Sequence, residues 1–273
     1  MARVVELNYF PVKGCAGTSV TEAVVAPAGL AHDRTFLVTD QDGVFRSQRG
    51  TPRMAVLRPE VDTAGTRLTL RVPDTDPVHL AVDVTAPRRD VTMFGRPYRG
   101  IDQGDAVAGW LSDVLGAPSR LVRVPPEHDR VTDGETPGTS GYADSSAVLV
   151  TTLLSLSALN ERIVARGGQP VPMDRFRANI VLDGWDEPHA EDFARRIAVG
   201  NCELGFTKIA VRCAVTTVDQ RTGEKSGPEP LRTLAGYRRA DTGGVAFGVK
   251  FAVLRPGKVS VGDQVSVASW AHR

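Results

Sequence analysis

The feature that most constrains the fold is the close spacing of proline and glycine among short β-prone runs in the first hundred residues. Turn-forming residues lie within or between four such runs, which are Met54–Val61, Arg67–Val72, Val78–Val84 and Asp90–Phe94. Many short strands with regular turns are typical of barrels and sandwiches, whereas parallel βαβ units need a helix between successive strands. The sequence therefore predicts a mainly β (α+β) fold.

Only three segments have the pattern of a helix. In Asp105–Leu115, apolar residues recur at helical spacing between two flanking glycines. A second segment runs from about Leu153 to Arg166, and a shorter one covers Glu229–Ala235 with a proline suited to a first turn. We therefore expect few, short helices.

A long segment rich in proline, glycine and acidic residues, Pro125–Gly141, separates two halves of the chain. Such composition is typical of a surface loop, and we place a domain boundary near its start. The predicted units are a smaller β-rich domain over residues 1–120 and a second β-rich domain over residues 121–273. An alternative in which the first strands pack with the second domain stays open.

Composition excludes several classes of function. The formal net charge of +1 gives no basic footprint for nucleic acid or an anionic membrane. No apolar run approaches the ~20 residues that span a bilayer, and no signal-peptide pattern opens the sequence. The three cysteines are far apart and form no CxxC pair, so we expect a reducing cytoplasm.

One thiol lies in a segment with β-forming character, Ala210–Asp219, which we predict to be a strand. Cys213 stands beside Arg212, and a neighbouring cation favours the thiolate that binds soft metals. The alternative is a buried cysteine that acts as a small hydrophobe. From this segment alone the alternative is favoured.

A second set of polar residues precedes or follows predicted strands. Together they offer cations, hydroxyls, an amide and a carboxylate, which suit an anionic ligand rich in hydrogen-bonding groups. Each alone is more often a solvated charge or a turn residue, and spacing gives no evidence that they meet. The set comprises Lys13, Gly14, Arg34, Asp144, Ser145, Ser146, Arg177 and Asn179.

Several motifs carry a resemblance to one family. Residues 211–223 read VRCAVTTVDQRTG and are followed by EPLRTL at 229–234, while residues 9–15 read YFPVKGC and 29–38 read GLAHDRTFLV. The motifs YADSS, FRANIV and AED follow the same order at 142–146, 176–181 and 190–192. In combination they resemble the mitochondrial amidoxime-reducing components and their bacterial relatives, with a MOSC domain and its N-terminal β-barrel domain. The resemblance covers nearly the whole chain.

The resemblance implies a β-barrel MOSC domain, a smaller β-rich N-terminal domain and a bound molybdenum cofactor. It implies that Cys213 is the thiolate ligand of molybdenum and that Asp144 lies near the open metal face as a proton-handling group. Asp144 as a simple turn residue remains an equal alternative. The remaining residues implied to contact the pterin or its phosphate are Lys13, Gly14, Arg34, Ser145, Ser146, Arg177, Asn179 and Arg212. Gly14 stands where the family often has serine, so only its backbone N–H is expected to bind.

The implied activity is an oxidoreductase that reduces N-hydroxylated small molecules. Some bacterial relatives continue into a ferredoxin domain, which this sequence lacks, so we expect a separate electron donor of ferredoxin, flavodoxin or cytochrome type. The main alternative is a molybdenum-cofactor carrier or sulfur-transfer protein that uses Cys213. A third reading is a barrel that has lost the cofactor and only binds partners.

Overall fold

The computed structural model describes residues 1–271, and these residues form a mainly β protein with few short helices, as predicted. The α-helices are α1 Asp105–Leu115, α2 Leu153–Ala165 and α3 Leu231–Leu234. The 3-10 helices are Pro52–Val56, Met173–Phe176, Ala190–Phe193 and Ala214–Thr217. The strands are β1 Ala2–Tyr9, β2 Val12–Lys13, β3 Thr18–Val20, β4 Glu22–Ala26, β5 Gly29–Leu30, β6 Phe36–Thr39, β7 Arg58–Val61, β8 Arg67–Val72, β9 Thr75–Ala81, β10 Arg88–Met93, β11 Arg96–Asp102, β12 Arg120–Arg123, β13 Val131–Thr132, β14 Gly138–Thr139, β15 Val148–Thr152, β16 Ile180–Asp183, β17 Ala194–Val199, β18 Cys202–Arg212, β19 Val245–Arg255, β20 Gly257–Ser260 and β21 Gln264–Trp270.

Seven strands close into a barrel in the order β16-β15-β19-β18-β17-β21-β1, with β1 pairing back onto β16. In β1, Leu7 lies opposite Ile180 of β16, and Ala2 lies opposite Val265 of β21. Inward-facing apolar side chains, such as those of Leu7 and Phe251, fill the interior and leave almost no surface exposed. The first strand of the chain therefore belongs to a barrel whose other strands all come from the second half, while the division at residue 120 stays a prediction.

The rest of the first half forms its own core. A five-stranded sheet has the order β10-β11-β12-β6-β2, and β7, β8 and β9 form a separate antiparallel sheet. Helix α1 packs against β12 and β9 through buried Val107 and Leu111. It ends at Gly116, whose φ of 68° is the left-handed conformation that glycine adopts without a Cβ penalty. The bounds predicted for this helix are confirmed.

The predicted strand over Ala210–Asp219 is wrong beyond its first three residues. Strand β18 ends at Arg212, and Cys213 is the N-cap of the 3-10 helix Ala214–Thr217. The hydroxyl of Thr216 donates to the carbonyl of Cys213 at 3.0 Å, and the hydroxyl of Thr217 donates to that of Ala214 at 2.8 Å. Such local bonds compete with a sheet ladder, so the β-branched threonines end the strand instead of extending it.

This turn changes the environment of Cys213. The residue is an exposed free cysteine, whereas Cys15 and Cys202 are buried. The reading of Cys213 as a buried hydrophobe is therefore wrong. In residues 1–271, no helix combines the length and the apolar character that crossing a membrane requires.

Candidate functional site

One cleft lies between the barrel and the sheets of the first half. Its empty volume, open mouth included, is about 890 Å³. Every residue that the sequence singled out lines this cleft: Lys13, Gly14, Arg34, Asp144, Ser145, Ser146, Arg177, Asn179, Arg212 and Cys213. The structure thus brings together side chains that are up to two hundred residues apart in sequence.

Strand pairing explains why these residues meet. Strands β15 and β16 are parallel neighbours, so the segments that precede them lie at the same end of the barrel. Ser145 and Ser146 precede β15, and Arg177 and Asn179 precede β16. Lys13 enters from the other side, because it ends β2 at the edge of the five-stranded sheet.

Asn179 connects the two halves of the site through a fully used amide. Its Oδ1 accepts from Arg34 Nη1 at 3.0 Å and from the backbone N–H of Leu149 at 3.1 Å. Its Nδ2 donates to the carbonyl of Asn8 at 3.1 Å and to Asp33 Oδ1 at 3.1 Å. Since a primary amide offers two donors and two good acceptor positions, no other uncharged side chain of this size satisfies all four partners.

Two arginines are held rigidly beside one another. The guanidinium carbons of Arg34 and Arg177 lie 4.4 Å and 4.3 Å from the ring centroid of Phe10. Both arginines have left-handed backbones, with φ of 47° and 55°. Such conformations cost about 1–3 kcal/mol for residues other than glycine and persist where surrounding contacts enforce them, often at functional sites.

The cleft is strongly electropositive. Six cationic side chains line it, whereas Asp144 is the one acidic residue among the lining residues that the structure describes. Burial lowers the pKa of Arg177 to about 10, with repulsion from Arg34 acting in the same direction. The six cations are Lys13, Arg34, Arg49, Arg177, Arg212 and Lys250. An anionic ligand would relieve this repulsion.

Asp144 pairs with Lys13 in an ion pair. Against the cost of desolvation in the cleft, the charges of Lys13 and Lys250 hold the pKa of Asp144 well below its usual range. About 58% of its side-chain surface is still accessible from the opening. A carboxylate of this kind stays ionised at neutral pH, so it can accept hydrogen bonds but has no proton to donate. Its catalytic role stays a prediction.

Arg212 and Cys213 form the wall at the end of β18. Arg212 Nη2 donates to the carbonyl of Phe176 at 2.7 Å, while its buried Nε has no hydrogen-bond partner among the described residues. A buried donor without a partner costs free energy, and a ligand atom would satisfy it. Cys213 presents its thiol to the same cleft.

Sequence reasoning missed several lining residues. Lys250 lies inside strand β19, and its Nζ donates to Ser145 Oγ at 2.7 Å. Burial lowers the pKa of Lys250 to about 8, although Asp144 opposes the change. No local signal marks a lysine in the middle of an otherwise apolar strand as part of a site. The other missed polar and aromatic residues of the cleft are Phe45, Ser47, Gln48, Arg49, Phe94 and Phe176.

The fold and the domain order identify the class of protein. Residues 1–118 match the MOSC N-terminal beta barrel domain, and residues 137–266 match the MOSC domain. The chain belongs to the MOSC family.

Individual proteins of this family are similar to the chain over most of its length. The chain is 33% identical to human mitochondrial amidoxime-reducing component 1 over 96% of this chain and 82% of the relative. It is 34% identical to the mouse protein of the same name, over 96% of this chain and 81% of the relative. The zebrafish molybdenum cofactor sulfurase is 31% identical over 90% of this chain, which spans only 31% of that longer protein.

Proposed function

We propose that this protein is a molybdenum-cofactor oxidoreductase that reduces N-hydroxylated small molecules with electrons from a separate donor protein. The observation that carries the proposal is the meeting of an exposed thiol, Cys213, with six cations in one cleft. The names of the human and mouse relatives support the choice of reaction. A reducing cytoplasm is the compartment we propose, because all three cysteines are free thiols.

The donor set of the cleft fits the molybdenum cofactor, a pterin with a dithiolene and a phosphate. Soft thiolates suit sulfur-rich metal centres, and phosphates are bound by arginine, lysine and backbone N–H groups. Arg177 and Arg212 form no ion pair within the described residues, and the free Nε of Arg212 offers a further donor. When bound, the cofactor would supply a metal centre that exchanges two electrons.

We assign a role to each of the ten cleft residues that the sequence singled out. Cys213 would ligate the metal. Asp144 would keep Lys13 charged and in place, and would accept hydrogen bonds rather than supply a proton. The residues that would hold the pterin and its phosphate are Lys13, Gly14, Arg34, Ser145, Ser146, Arg177, Asn179 and Arg212.

The proposed reaction needs a source of electrons and a source of protons. Reduction of an N-hydroxyl group to N–H consumes two electrons and two protons and releases water. The electrons would come from a ferredoxin, a flavodoxin or a cytochrome, and the protons from solvent that enters the open cleft.

The test is molybdenum and pterin analysis of protein made in a host with ample cofactor. We expect near-stoichiometric metal and benzamidoxime reduction in the wild type, and loss of both in Cys213→Ala. Cys202→Ala is the matched control, because that thiol is buried in the barrel and does not line the cleft. Metal-free wild-type protein, or equal metal content in Cys213→Ala, would contradict the proposal.

The similarity to a molybdenum cofactor sulfurase favours a second candidate, transient sulfur or cofactor transfer through Cys213. The exposure of the thiol is compatible with it. Mass spectrometry distinguishes the two, since a carrier of sulfur would accumulate a persulfide on Cys213 after incubation with a low-molecular-weight persulfide, which transfers its outer sulfur and leaves as a thiol. A reductase with a thiolate already bound to metal would not.

A further inference from the structure

One aromatic residue at the mouth of the cleft has a backbone conformation that bulky residues rarely adopt. Phe94 and Gly95 form the two-residue turn between β10 and β11, where Met93 pairs with Arg96. Their φ angles are 54° and 72°, and positive φ at both positions defines a turn that prefers Asn-Gly. A bulky residue such as phenylalanine is strained there, and strain of this kind often marks functional sites.

The strain does not serve the core, because the ring of Phe94 is turned toward the cleft. Phe94 is 46% exposed and lines the cleft that also contains Cys213. The ring of Phe45 approaches it edge-on with centroids 4.7 Å apart. A backbone hydrogen bond from Phe45 to Thr92, of 3.0 Å, fixes this second ring to the hairpin. The two rings form a firm aromatic wall.

Apolar side chains also line the cleft near the thiol. Val211 is 41% exposed, and Val215 lines the cleft just beyond Cys213. A slot lined by two aromatic rings and two valines suits a flat, apolar group.

A cation stands at the rim of this slot. The guanidinium carbon of Arg49 lies 5.4 Å from the ring centroid of Phe94. Arg49 is exposed and forms no ion pair with any residue in 1–271. An exposed guanidinium beside an aromatic side chain is well placed to bind the carboxylate of a ligand whose own ring stacks on that side chain.

We propose that Phe94, Phe45 and Arg49 form an outer subsite for aromatic acids, which binds the non-reacting part of the substrate. This inference rests on the proposed function for the reaction, but the binding that it describes does not depend on turnover. The substrate class is a planar aromatic compound that carries an N-hydroxyl group at one end and a carboxylate at the other. The rings contact the aromatic face, and Arg49 contacts the carboxylate.

The first test is equilibrium binding of benzoate, benzamide and acetate to the cofactor-loaded protein, measured by NMR titration. We expect benzoate to bind more tightly than acetate. Phe94→Asn should weaken both benzoate and benzamide about tenfold, the order expected for one lost aromatic contact. Arg49→Gln should weaken benzoate and leave benzamide binding largely unaffected.

The choice of asparagine keeps the test independent of misfolding. Asn-Gly is the preferred dipeptide of this turn, so Phe94→Asn should melt at the same or a higher temperature than the wild type. The matched control is Asp74→Asn, because Asp74 also has a positive φ, of 60°, at a β-turn outside the cleft. A lower melting temperature for Phe94→Asn would indicate a structural role for the ring and would overturn the inference.

The second test compares kcat/KM for 4-carboxybenzamidoxime, benzamidoxime and acetamidoxime. Phe94→Asn should lower the preference for benzamidoxime over acetamidoxime about tenfold through KM, and Arg49→Gln should abolish the preference for the carboxylated compound. Unchanged preferences, or unchanged benzoate affinity in both variants, would overturn the subsite. If the wild type reduces none of these compounds, but both variants still bind benzoate more weakly than the wild type, the proposed reaction alone is overturned.

Discussion

The amide of Asn179 offers the sharpest test of how the site is held together. The side chain is buried, and it connects Arg34, Asp33 and the backbones of Asn8 and Leu149 through four hydrogen bonds. The perturbation is Asn179→Ala in protein without cofactor, so that ligand binding does not contribute to the measured stability. We expect a large loss of stability from a substitution that changes little apolar area.

The magnitude follows from the partners that are left behind. The N–H of Leu149 and the carbonyl of Asn8 each lose this partner, at about 1–3 kcal/mol for each buried group. Arg34 and Asp33 keep their ion pair with each other, and Asp33 still accepts from the N–H of Phe10 at 2.8 Å. Their losses of stabilising free energy are therefore smaller, about 0.5–1.5 kcal/mol each. These losses sum to about 3–9 kcal/mol. A loss of about 4 kcal/mol, in the lower part of that range, is already a large part of the 5–15 kcal/mol typical of a folded protein.

The assay is reversible urea unfolding followed by fluorescence, with thermal unfolding beside it. A loss of about 4 kcal/mol corresponds to a fall of about 10 °C in Tm for a chain of this size. Asn201→Ala is the matched control, because Asn201 is exposed in the turn between β17 and β18, and it should cost less than about 0.5 kcal/mol. A loss below about 1 kcal/mol in Asn179→Ala would refute the view that this amide joins the two halves of the site.

Two further predictions concern pH. Burial raises the pKa of Glu191 from 4.5 to about 7, so its contribution to stability is complete below about pH 4.5 and is lost as pH rises through 7. Glu191→Gln should therefore unfold with about 3 kcal/mol more free energy than the wild type at pH 8, with little difference at pH 4.5, as urea titrations at both pH values would show. Burial lowers the pKa of Lys250 to about 8, so the affinity of the cofactor-free cleft for inorganic phosphate should fall as pH rises through 8. In calorimetric titrations, Lys250→Met should remove this fall in phosphate affinity. The control is Lys208→Met, which should keep it, because Lys208 is the cross-strand neighbour of Lys250 and pairs with Asp133.

The helices and the mainly β character could be predicted because they depend on local patterns. The apolar spacing in Asp105–Leu115 and its terminal glycine determined both ends of α1. The extension of the strand past Arg212 failed for an equally local reason. Thr216 and Thr217 favour strands on average, but their hydroxyls here bond to the backbone three residues earlier.

The site could be predicted only in part, because convergence is a property of strand pairing. Motif resemblance selected ten residues that line the cleft, but only the pairing of β15 with β16 explains why Ser145 and Asn179 meet. Lys250 has no such motif, and only the register of β19 turns it toward Ser145. Phe94 was predicted as the end of a strand-like run, although its position directly before Gly95 could have indicated a turn, where asparagine would be usual.

The closure of the barrel by β1 has a consequence for how the protein is made. Strand β1 leaves the ribosome well before β16 and β21, which begin at Ile180 and Gln264, and it must wait for them to pair. Contacts over such separations form slowly, and until then β1 pairs only with β3, through Leu7–Tyr9, which leaves free strand edges that chaperones would have to shield. Translation of either half alone would leave the same edges open permanently, so we expect separate halves to aggregate and to regain a folded state only when they are produced together.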